Sequence, residues 1–303
     1  MKVLSFGSLN LDYVYAMDHF VQAGETIAAS GRSIHRGGKG LNQSVALALA
    51  GAETYHAGRI GQDGMMLRDW LVHNGVDVSL LEVDPEMPTG HAIIQVDRTG
   101  QNSIIILAGT NGSITEEFVD NMLESFGPGD WMLLQNETSC RDYAIRKASE
   151  KGMKVALNPS PMTEELAASS ALSFVSYFIL NEIEGKAVTG ETEPDEICRV
   201  MREKYPDSVV VLTLGGDGVV YDDGTKRLSH GIYPVKAVDT TAAGDTFAGY
   251  FLATLSNGGD PETALQRASK AAAIAVTRPG ASDSIPTLQE VLEMDLGEPL
   301  AGK

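Results

Sequence analysis

A chain of 303 residues with 43% hydrophobic side chains can bury the core of one large α/β domain, or of one domain with a small appendage. The formal net charge of −18 argues against non-specific DNA or RNA binding, which needs a basic surface, and it would repel anionic membranes. This composition still allows a phosphate site that uses backbone N–H groups, a few cations and metal ions.

Cysteine usage and apolar patterning indicate the compartment. Cys140 and Cys198 are the only cysteines and neither belongs to a CxxC pair, so we expect no disulfide framework and no zinc site. The N-terminal apolar run is too short to predict a signal peptide, and no stretch approaches the roughly eighteen apolar residues of a membrane span. We therefore expect a soluble cytoplasmic protein with no membrane partner.

The first predicted element is a short buried strand over residues 3–6, which ends at Gly7. Asn10 and Asp12 follow it, and they share one face if the chain stays extended. Such residues fit a polar ligand, although ordinary turn chemistry accounts for them equally well. Residues 13–36 contain short apolar runs with no helical period, so we expect a small flap of strands there.

A glycine-rich segment with the sequence GGKGLNQ spans residues 37–43 and leads into a predicted helix. Its glycines allow the backbone to approach a ligand closely, and Lys39 and Asn42 favour a polar ligand over close packing alone. The segment is not a P-loop, because Gly40 stands where a serine or threonine should follow the lysine.

Further strands are predicted at residues 54–61 and in a hairpin made of residues 91–96 and 103–107. Together with residues 13–36, the hairpin could form a small sheet outside the main fold. An exposed sheet of this kind is suited to lid motion or to pairing in a dimer.

From residue 115 onward, helices alternate with strands predicted at residues 131–134, 154–157, 174–180 and 209–214. The strands are nearly continuous apolar runs, as expected for parallel strands covered on both faces. Each is followed by polar residues or glycines, and ligands bind beyond the carboxyl ends of such strands. A polar surface turn explains any one of these ends better, but four of them together favour a site.

The segment of residues 237–247 is the strongest candidate for chemistry, and it is predicted to run from the end of a strand into a helix. The small residues Ala242, Ala243 and Gly244 leave backbone N–H groups bare at the helix N-terminus, which makes an anion site. Asp245 lies in the first helical turn, where it could take a proton from a hydroxyl beside it. An aspartate that only caps the helix is the simpler alternative.

Two segments, residues 37–43 and the sequence DTTAAGDTF at residues 239–247, resemble the signatures of the ribokinase-like (PfkB) carbohydrate kinases. Residues 181–184, 213–215 and 275–281 are similar to further family elements in their order and spacing. The resemblance covers essentially the whole chain, and it implies a single α/β domain over residues 1–303 with the three-layer ribokinase-like fold. A central, mostly parallel sheet is flanked by helices, with a small β-sheet lid inserted at about 11–36 and 89–107.

The resemblance is closest to family members that phosphorylate ribose. It implies an ATP-dependent sugar kinase that transfers the γ-phosphate to the primary hydroxyl of a small neutral sugar, D-ribose, giving ribose 5-phosphate. Asp245 would be the base, and the N–H groups of Ala242, Ala243 and Gly244 would form the anion hole. The residues implied to hold the sugar are Asn10, Asp12, Gly38, Lys39, Asn42, Glu137 and Asp245.

The same resemblance implies ATP, Mg²⁺ and K⁺ sites, and a homodimer formed through the lid. The ATP cleft would be lined by Asn181, Thr213, Gly215, Gly218 and Ser269. Asn181 and Glu184 would organise Mg²⁺ through water, because this ion keeps much of its hydration. The residues implied for K⁺ are Asp239, Thr241, Ala275, Gly280 and Ser284.

Several positions depart from the family pattern and leave the nucleotide and the exact sugar open. Ser269 stands where asparagine is frequent, Leu41 replaces a small residue, and the pair at 216–217 replaces a polar and basic pair.

Three alternatives therefore remain. A nucleoside kinase would need lid aromatics such as Tyr13 and Tyr15 to stack on a base. A phosphosugar kinase would need a further cation, for which Arg36 is the one candidate. A silent sugar-binding regulatory protein would lack the catalytic set. An NAD-dependent enzyme is not expected, since no GxGxxG follows a strand.

Overall fold

The computed structural model describes residues 1–300, which fold into two β-sheets and a set of surrounding helices. The strands are β1 (Lys2–Phe6), β2 (Asn10–Ala16), β3 (Gly31–Gly37), β4 (Glu53–Gly61), β5 (Asp77–Asp84), β6 (Gly90–Val96), β7 (Asn102–Leu107), β8 (Trp131–Leu134), β9 (Lys154–Leu157), β10 (Tyr177–Asn181), β11 (Val209–Thr213), β12 (Val219–Asp222) and β13 (Arg227–His230). The α-helices are α1 (Lys39–Leu49), α2 (Met65–His73), α3 (Glu116–Leu123), α4 (Arg141–Glu150), α5 (Glu164–Ala167), α6 (Glu182–Thr189), α7 (Pro194–Lys204), α8 (Ala243–Ser256), α9 (Pro261–Ala275) and α10 (Leu288–Glu293).

The larger sheet has nine strands in the order β13-β12-β11-β10-β9-β8-β1-β4-β5. The strands from β11 to β5 all run parallel, and β12 and β13 add an antiparallel hairpin at one edge. The parallel strands therefore present their carboxyl ends along a single edge of the sheet, where ligands bind in folds of this type.

Two hydrophobic clusters cover the two faces of this sheet. In β1, Val3 packs with α1, α2, α8 and α9, whereas Leu4 and Phe6 pack on the opposite face with α3, α4 and α7. Neighbouring side chains of a strand point to opposite faces, so a strand buried on both sides reads as a continuous apolar run. The expected three-layer architecture, with helices on both faces of a mostly parallel sheet, is confirmed.

The smaller sheet has four strands in the order β3-β2-β6-β7 and is built from the two segments expected to form it. β2 pairs with β3 antiparallel and with β6 parallel, so Asn10 lies opposite both Gly37 and Gly90. The sheet therefore leaves the main body at the carboxyl end of β1, beside the glycine-rich segment that opens α1.

The predicted strand boundaries hold at β8 and β9 but are wrong in two other places. Phe174 belongs to a 3-10 turn, Ser170–Phe174, and β10 begins only at Tyr177. The strand expected to end at residues 237–238 is absent. There the N–H groups of Val238 and Asp239 both donate to the Val276 carbonyl, at 2.7 and 3.2 Å. Two successive N–H groups that share one carbonyl do not form β-sheet pairing, so this segment is irregular.

Sequence patterning alone did not indicate β5 or the β12–β13 hairpin. The strand β5 lies at the edge of the sheet and mixes charged with apolar residues, since only part of each side chain is buried there. None of the helices within residues 1–300 has the length and apolar character needed to cross a membrane.

Helices α1 and α8 approach each other closely at Gly249. A Cβ atom added at this position would lie 2.4 Å from the Ala46 Cβ and 2.9 Å from the Leu47 backbone nitrogen. We expect Gly249→Ala to lower the free energy of unfolding by about 1–2 kcal/mol, because overpacking outweighs the better helix propensity of alanine. Urea denaturation of the purified protein measures this change.

Gly127→Ala is the matched control, because a Cβ atom at Gly127 meets nothing within 4 Å and its φ lies in the ordinary range. Its unfolding free energy should stay within about 0.5 kcal/mol of the parent value. Equal stability of the Gly249 and Gly127 variants would contradict the close contact of α1 with α8.

Candidate active site

A cleft of about 260 Å³ lies at the carboxyl edge of the large sheet, between β9, β10 and β11 and the first turns of α1 and α8. It is lined by Lys39, Asn158, Ser160, Ile179, Leu180, Asn181, Glu184, Thr213, Thr240, Ala242, Ala243, Gly244 and Asp245. The structure thus brings the glycine-rich segment, the polar strand ends and the Asp245 segment to one place.

The first turn of α8 faces open space. Ala242 precedes the helix in the left-handed conformation at φ 59°, and no side chain caps the helix N-terminus. A Cβ atom at Gly244 would meet nothing within 4 Å, although the Ala243 N–H already donates to the Thr240 carbonyl at 3.2 Å. The positive end of the helix dipole is therefore available to an anion in the cleft.

Asp245 is almost completely buried, at 6% exposure, and its carboxylate does not cap its own helix. Its two oxygens each accept a hydrogen bond of 2.9 Å from the amide groups of Asn42 and Gln43 at the start of α1. Burial of a carboxylate is costly unless donors reach it, so these two amides hold the group in place.

The glycine-rich segment lies against the end of β1, where its glycines are required. Gly38 has φ 98°, and a Cβ atom there would lie 2.7 Å from the Ser8 carbonyl. At Gly40, a Cβ atom would lie 2.4 Å from the Gly7 carbonyl carbon. The Lys39 backbone N–H donates to Glu137 at 3.2 Å, so the loop after β8 is tied to this segment. The Ser8 hydroxyl also donates to Glu137.

Asn10 and Asp12 lie on β2 beside Gly37 of the glycine-rich segment. Of the residues implied to hold the sugar, Lys39 and Asp245 line the cleft, whereas the others are not among its lining residues: Asn10, Asp12, Gly38, Asn42 and Glu137. Asn111, which is buried, donates to the Asn10 side-chain oxygen at 2.8 Å and thereby leaves the Asn10 amino group free to face a ligand. Burial raises the pKa of Asp12 to about 6; the nearby His35 opposes this rise and the Glu137 carboxylate adds to it.

Asn181 and Glu184 form a capping box on α6. The Glu184 N–H donates to the Asn181 side chain at 2.9 Å, and the Asn181 N–H donates to the Glu184 carboxylate at 3.0 Å. Burial raises the pKa of Glu184, although the hydrogen bond from Asn181 opposes this. Both residues line the cleft, so their helix-capping role leaves them facing any ligand bound there.

The segments implied to hold K⁺ lie side by side. Asp239 accepts hydrogen bonds from the Thr241 and Gly280 N–H groups, at 2.9 and 3.0 Å, and the hydrogen bonds from Thr241 are the main cause of its lowered pKa. Ser284 is fully buried and donates to the Ala281 carbonyl at 2.8 Å, which leaves its oxygen lone pairs free. The Ala275 carbonyl accepts from the Arg278 N–H at 3.0 Å.

Of the residues implied to bind ATP, Asn181 and Thr213 line the cleft, whereas Gly215, Gly218 and Ser269 are not among its lining residues. The backbone at Gly218 requires glycine whether or not a nucleotide binds there, since its φ is 100° and a Cβ atom would lie 2.3 Å from the His230 carbonyl oxygen. The assignment of these three residues to the nucleotide stays a prediction.

Residues 1–288 match the family described as pfkB family carbohydrate kinase. The chain belongs to this family. As a pfkB-family carbohydrate kinase, it is a phosphotransferase with an alcohol group as acceptor, and the resemblance of its two signature segments is confirmed.

Similar proteins share nearly the full length of this pfkB-family kinase. Ribokinase of Haemophilus influenzae is 36% identical over 95% of this chain and 96% of its own length. Among solved structures, ribokinase of Cryptococcus neoformans in complex with ADP is 31% identical, with a TM-score of 0.84 over 96% of this chain and 99% of that one. Ribokinase of Arabidopsis thaliana complexed with ribose and ATP is 30% identical, with a TM-score of 0.84 over 96% and 97%.

Several polar residues around the site of this kinase had no role assigned from sequence. Gln43 was part of a recognised motif and Asn158 followed a predicted strand, so a signal existed for both. Asn111 lies in a short 3-10 turn, Gly109–Ser113, whose sequence carries no periodic pattern. Only the fold brings it beside Asn10.

The raised pKa of Asp12 has a consequence for stability, because the ionised carboxylate is less favourable in the folded chain than in the unfolded chain. The stability that the protonated Asp12 side chain contributes is complete below pH 3.8, the ordinary pKa of an aspartate, and is lost as the pH rises through about 6. Asp12→Asn should therefore raise the unfolding free energy by roughly 1–2 kcal/mol at about pH 8, with little gain at about pH 4.

Thermal unfolding of the ligand-free kinase at the two pH values measures this effect. Asp207→Asn serves as the control, because Asp207 is exposed in the turn before β11 and its replacement should give no such pH-dependent gain. An equal effect of Asp12→Asn at both pH values would contradict the burial argument.

Proposed function

We propose that this kinase transfers the γ-phosphate of ATP to the primary hydroxyl of D-ribose, giving ribose 5-phosphate, with Asp245 as the base. The carrying observation is the Asp245 carboxylate, which is held by two amides beside the open N-terminus of α8. The similarity to ribokinase of Haemophilus influenzae, and to the Arabidopsis thaliana ribokinase that binds ribose and ATP, supports this substrate pair.

Phosphoryl transfer requires little covalent work from the protein, so positioning and charge stabilisation supply most of the catalysis. Asp245 accepts the proton of the attacking hydroxyl as the oxygen–phosphorus bond forms. The N-terminus of α8, with the N–H groups at Ala242 and Gly244, and with that of Ala243 if it exchanges the Thr240 carbonyl for the phosphate, stabilises the negative charge on the phosphoryl oxygens. Base and anion site belong to adjacent residues of one helix, so the hydroxyl and the phosphate meet there.

The proposed sugar site has the composition expected for a neutral polyol. Asp12, Glu137 and the Asn42 side-chain oxygen can accept hydrogen bonds from hydroxyl groups, and the Asn42 oxygen has no hydrogen-bond partner among residues 1–300. Lys39 and the Asn10 amino group can donate them. The main chain at Gly38 leaves room for close approach.

Arg36, which a phosphosugar kinase would need, is engaged elsewhere. Its guanidinium group lies 3.9 Å from the ring centre of Trp70 and pairs with Asp283. This favours an uncharged sugar over a phosphorylated one.

We also propose Mg²⁺ at Asn181 and Glu184, held through water. The buried Glu184 carboxylate in the cleft is a hard oxygen donor of the kind this ion prefers, and Mg²⁺ neutralises charge on ATP phosphates. Within residues 1–300 no group of three or more His, Cys, Asp or Glu side chains could hold a metal ion. For K⁺, the ionised Asp239, the Ser284 hydroxyl and the carbonyls of Thr241, Ala275 and Gly280 are oxygen donors on two adjoining segments.

The decisive experiment measures ADP release from MgATP, with and without K⁺, against ribose, deoxyribose, fructose, a set of nucleosides and no sugar. We expect ribose to give the highest kcat/KM. A response confined to nucleosides or to fructose would keep the reaction and overturn the substrate. Bound ATP with no turnover on any acceptor would favour the silent binding protein.

Asp245→Asn tests the base directly. The variant should fold and bind ATP, because the new amide oxygen keeps one of the two hydrogen bonds to α1 although its amino group opposes the other donor, but turnover should fall at least about 10²-fold. Near-normal turnover would remove Asp245 from its proposed role. Tm and ATP affinity, measured alongside, separate a chemical defect from misfolding.

In this proposal the chain forms one kinase domain in the cytoplasm, and the four-stranded sheet acts as its lid and as the contact of a homodimer. The edge strand β7 exposes four consecutive apolar residues, of which Ile105 and Ile106 are 61% and 71% exposed. An open apolar edge strand is a surface that a second copy of the chain can cover. The two free cysteines suit a reducing compartment.

Ile106→Glu should convert the dimer to a monomer, because a charge would then be buried in the contact, and sedimentation or light scattering gives the mass. Leu292→Glu is the control, since Leu292 on α10 is also well exposed, at 57%, but lies outside the small sheet. A parent protein that is monomeric, or a dimer unaffected by Ile106→Glu, would refute the lid contact.

A further inference from the structure

Gln43 is fully buried next to Asp245 and is absent from the residues that line the cleft. Its side-chain nitrogen lies 2.9 Å from Asp245 Oδ1 and 3.0 Å from Asn158 Oδ1, and its side-chain oxygen accepts from Gln135 at 2.6 Å. Protein groups therefore use both N–H donors of this amide and one lone pair of its oxygen, and the side chain is fully buried.

The orientation of this amide is determined by a backbone carbonyl. Asn158 donates its own amino group to the Ile179 carbonyl at 2.9 Å, so its side-chain oxygen must face Gln43. An oxygen on that side requires a donor, which places the Gln43 amino group towards Asn158 and Asp245. A flipped Gln43 would oppose its oxygen to two acceptors.

The same geometry orients the Asp245 carboxylate. Its Oδ1 accepts a hydrogen bond from the Gln43 N–H, and its Oδ2 accepts one from the Asn42 N–H. These two donors fix the direction of the carboxylate and leave its remaining lone pairs for the substrate hydroxyl.

We propose that Gln43 is a positioning residue for phosphoryl transfer, which orients the Asp245 carboxylate while its own amide is held by Gln135 and Asn158. The inference rests on the proposed function, in which Asp245 is the base. Because Gln43 is fully buried and both of its N–H donors are used by Asp245 and Asn158, we expect its replacement to affect kcat and to leave KM nearly unchanged.

Gln135 supports this arrangement from the other side of the sheet edge. It is 1% exposed, and a Cβ atom at Gly7 would lie 2.3 Å from its side-chain oxygen. The glycine at the end of β1 therefore leaves the room that the Gln135 side chain fills, and the Gln135 amino group donates to Gln43, whereas its oxygen has no hydrogen-bond partner within residues 1–300.

Gln43→Glu tests the proposal, because the replacement has the same shape but sets a carboxyl group against Asp245. Two adjacent carboxylates retain a shared proton at neutral pH, which occupies the base. We expect kcat to fall roughly 10–100-fold at about pH 7 and to recover at least about fivefold relative to the parent enzyme by about pH 9. KM for ribose and for ATP should change less than about threefold.

Ser44→Ala is the matched control. Ser44 is the next residue of α1 and is equally buried, but its hydroxyl lies 2.7 Å from His56 Nδ1 and makes no contact with Asp245. Its loss should lower Tm comparably while kcat and its pH profile stay those of the parent. If Gln43→Glu and Ser44→Ala lose kcat to a similar extent, or if the loss in Gln43→Glu does not recover at high pH, the role of Gln43 is structural and the proposal is wrong.

Should Gln43→Glu fail to fold, Gln135→Met decides the question, since it removes the lock on Gln43 and keeps the volume. We expect a loss in kcat of roughly 3–10-fold with unchanged KM, and parent-like kcat would refute the proposal. Failure of the inference is distinct from failure of the proposed function. If Asp245→Asn is inactive while Gln43→Glu matches the parent, only the positioning role is lost; an active Asp245→Asn removes the base as well.

Discussion

The hydrogen bonds from Asn42 and Gln43 to Asp245 join two helices that lie about two hundred residues apart in sequence, and much of the site depends on them. A carboxylate that is 6% exposed needs such donors, because burial without them would cost several kcal/mol. The donors can reach it only if α1 and α8 run close together, and Gly249 allows this contact. The close packing of α1 against α8 is thus a condition for the hydrogen bonds that hold Asp245 in the site.

The start of α1 has an unusual composition for a buried helix. Asn42, Gln43 and Ser44 are all nearly inaccessible. Asn42 and Gln43 both donate to α8, Gln43 also contacts the residues that follow β8 and β9, and Ser44 contacts β4. Buried polar groups of this kind destabilise the fold when they lack hydrogen-bond partners, and they favour one packing arrangement when all of them have partners. Their pairing fixes the rotation of the helix about its axis, and with it the direction of Lys39.

Sequence reasoning located the layered fold, the lid segments and the signature segments, because these depend on local periodicity and on short motifs. It could not identify the partners of Asp245, since amide groups carry no periodic signal and their contacts are set by tertiary packing. The same limit explains the strand wrongly expected near Val238, where an apolar pair lies in an irregular segment. It also explains β5, an edge strand whose mixed composition resembles a loop.

The junction between the two sheets has a mechanical consequence. Asn10 lies opposite Gly37 and Gly90 at the point where the small sheet leaves the main body, and a Cβ atom at Gly90 would lie 2.5 Å from the Asn10 side-chain oxygen. Any tilt of the small sheet would bend the chain at these residues. The backbone of this junction also borders the candidate sugar site, so a change in the angle between the two sheets would change the shape of that site.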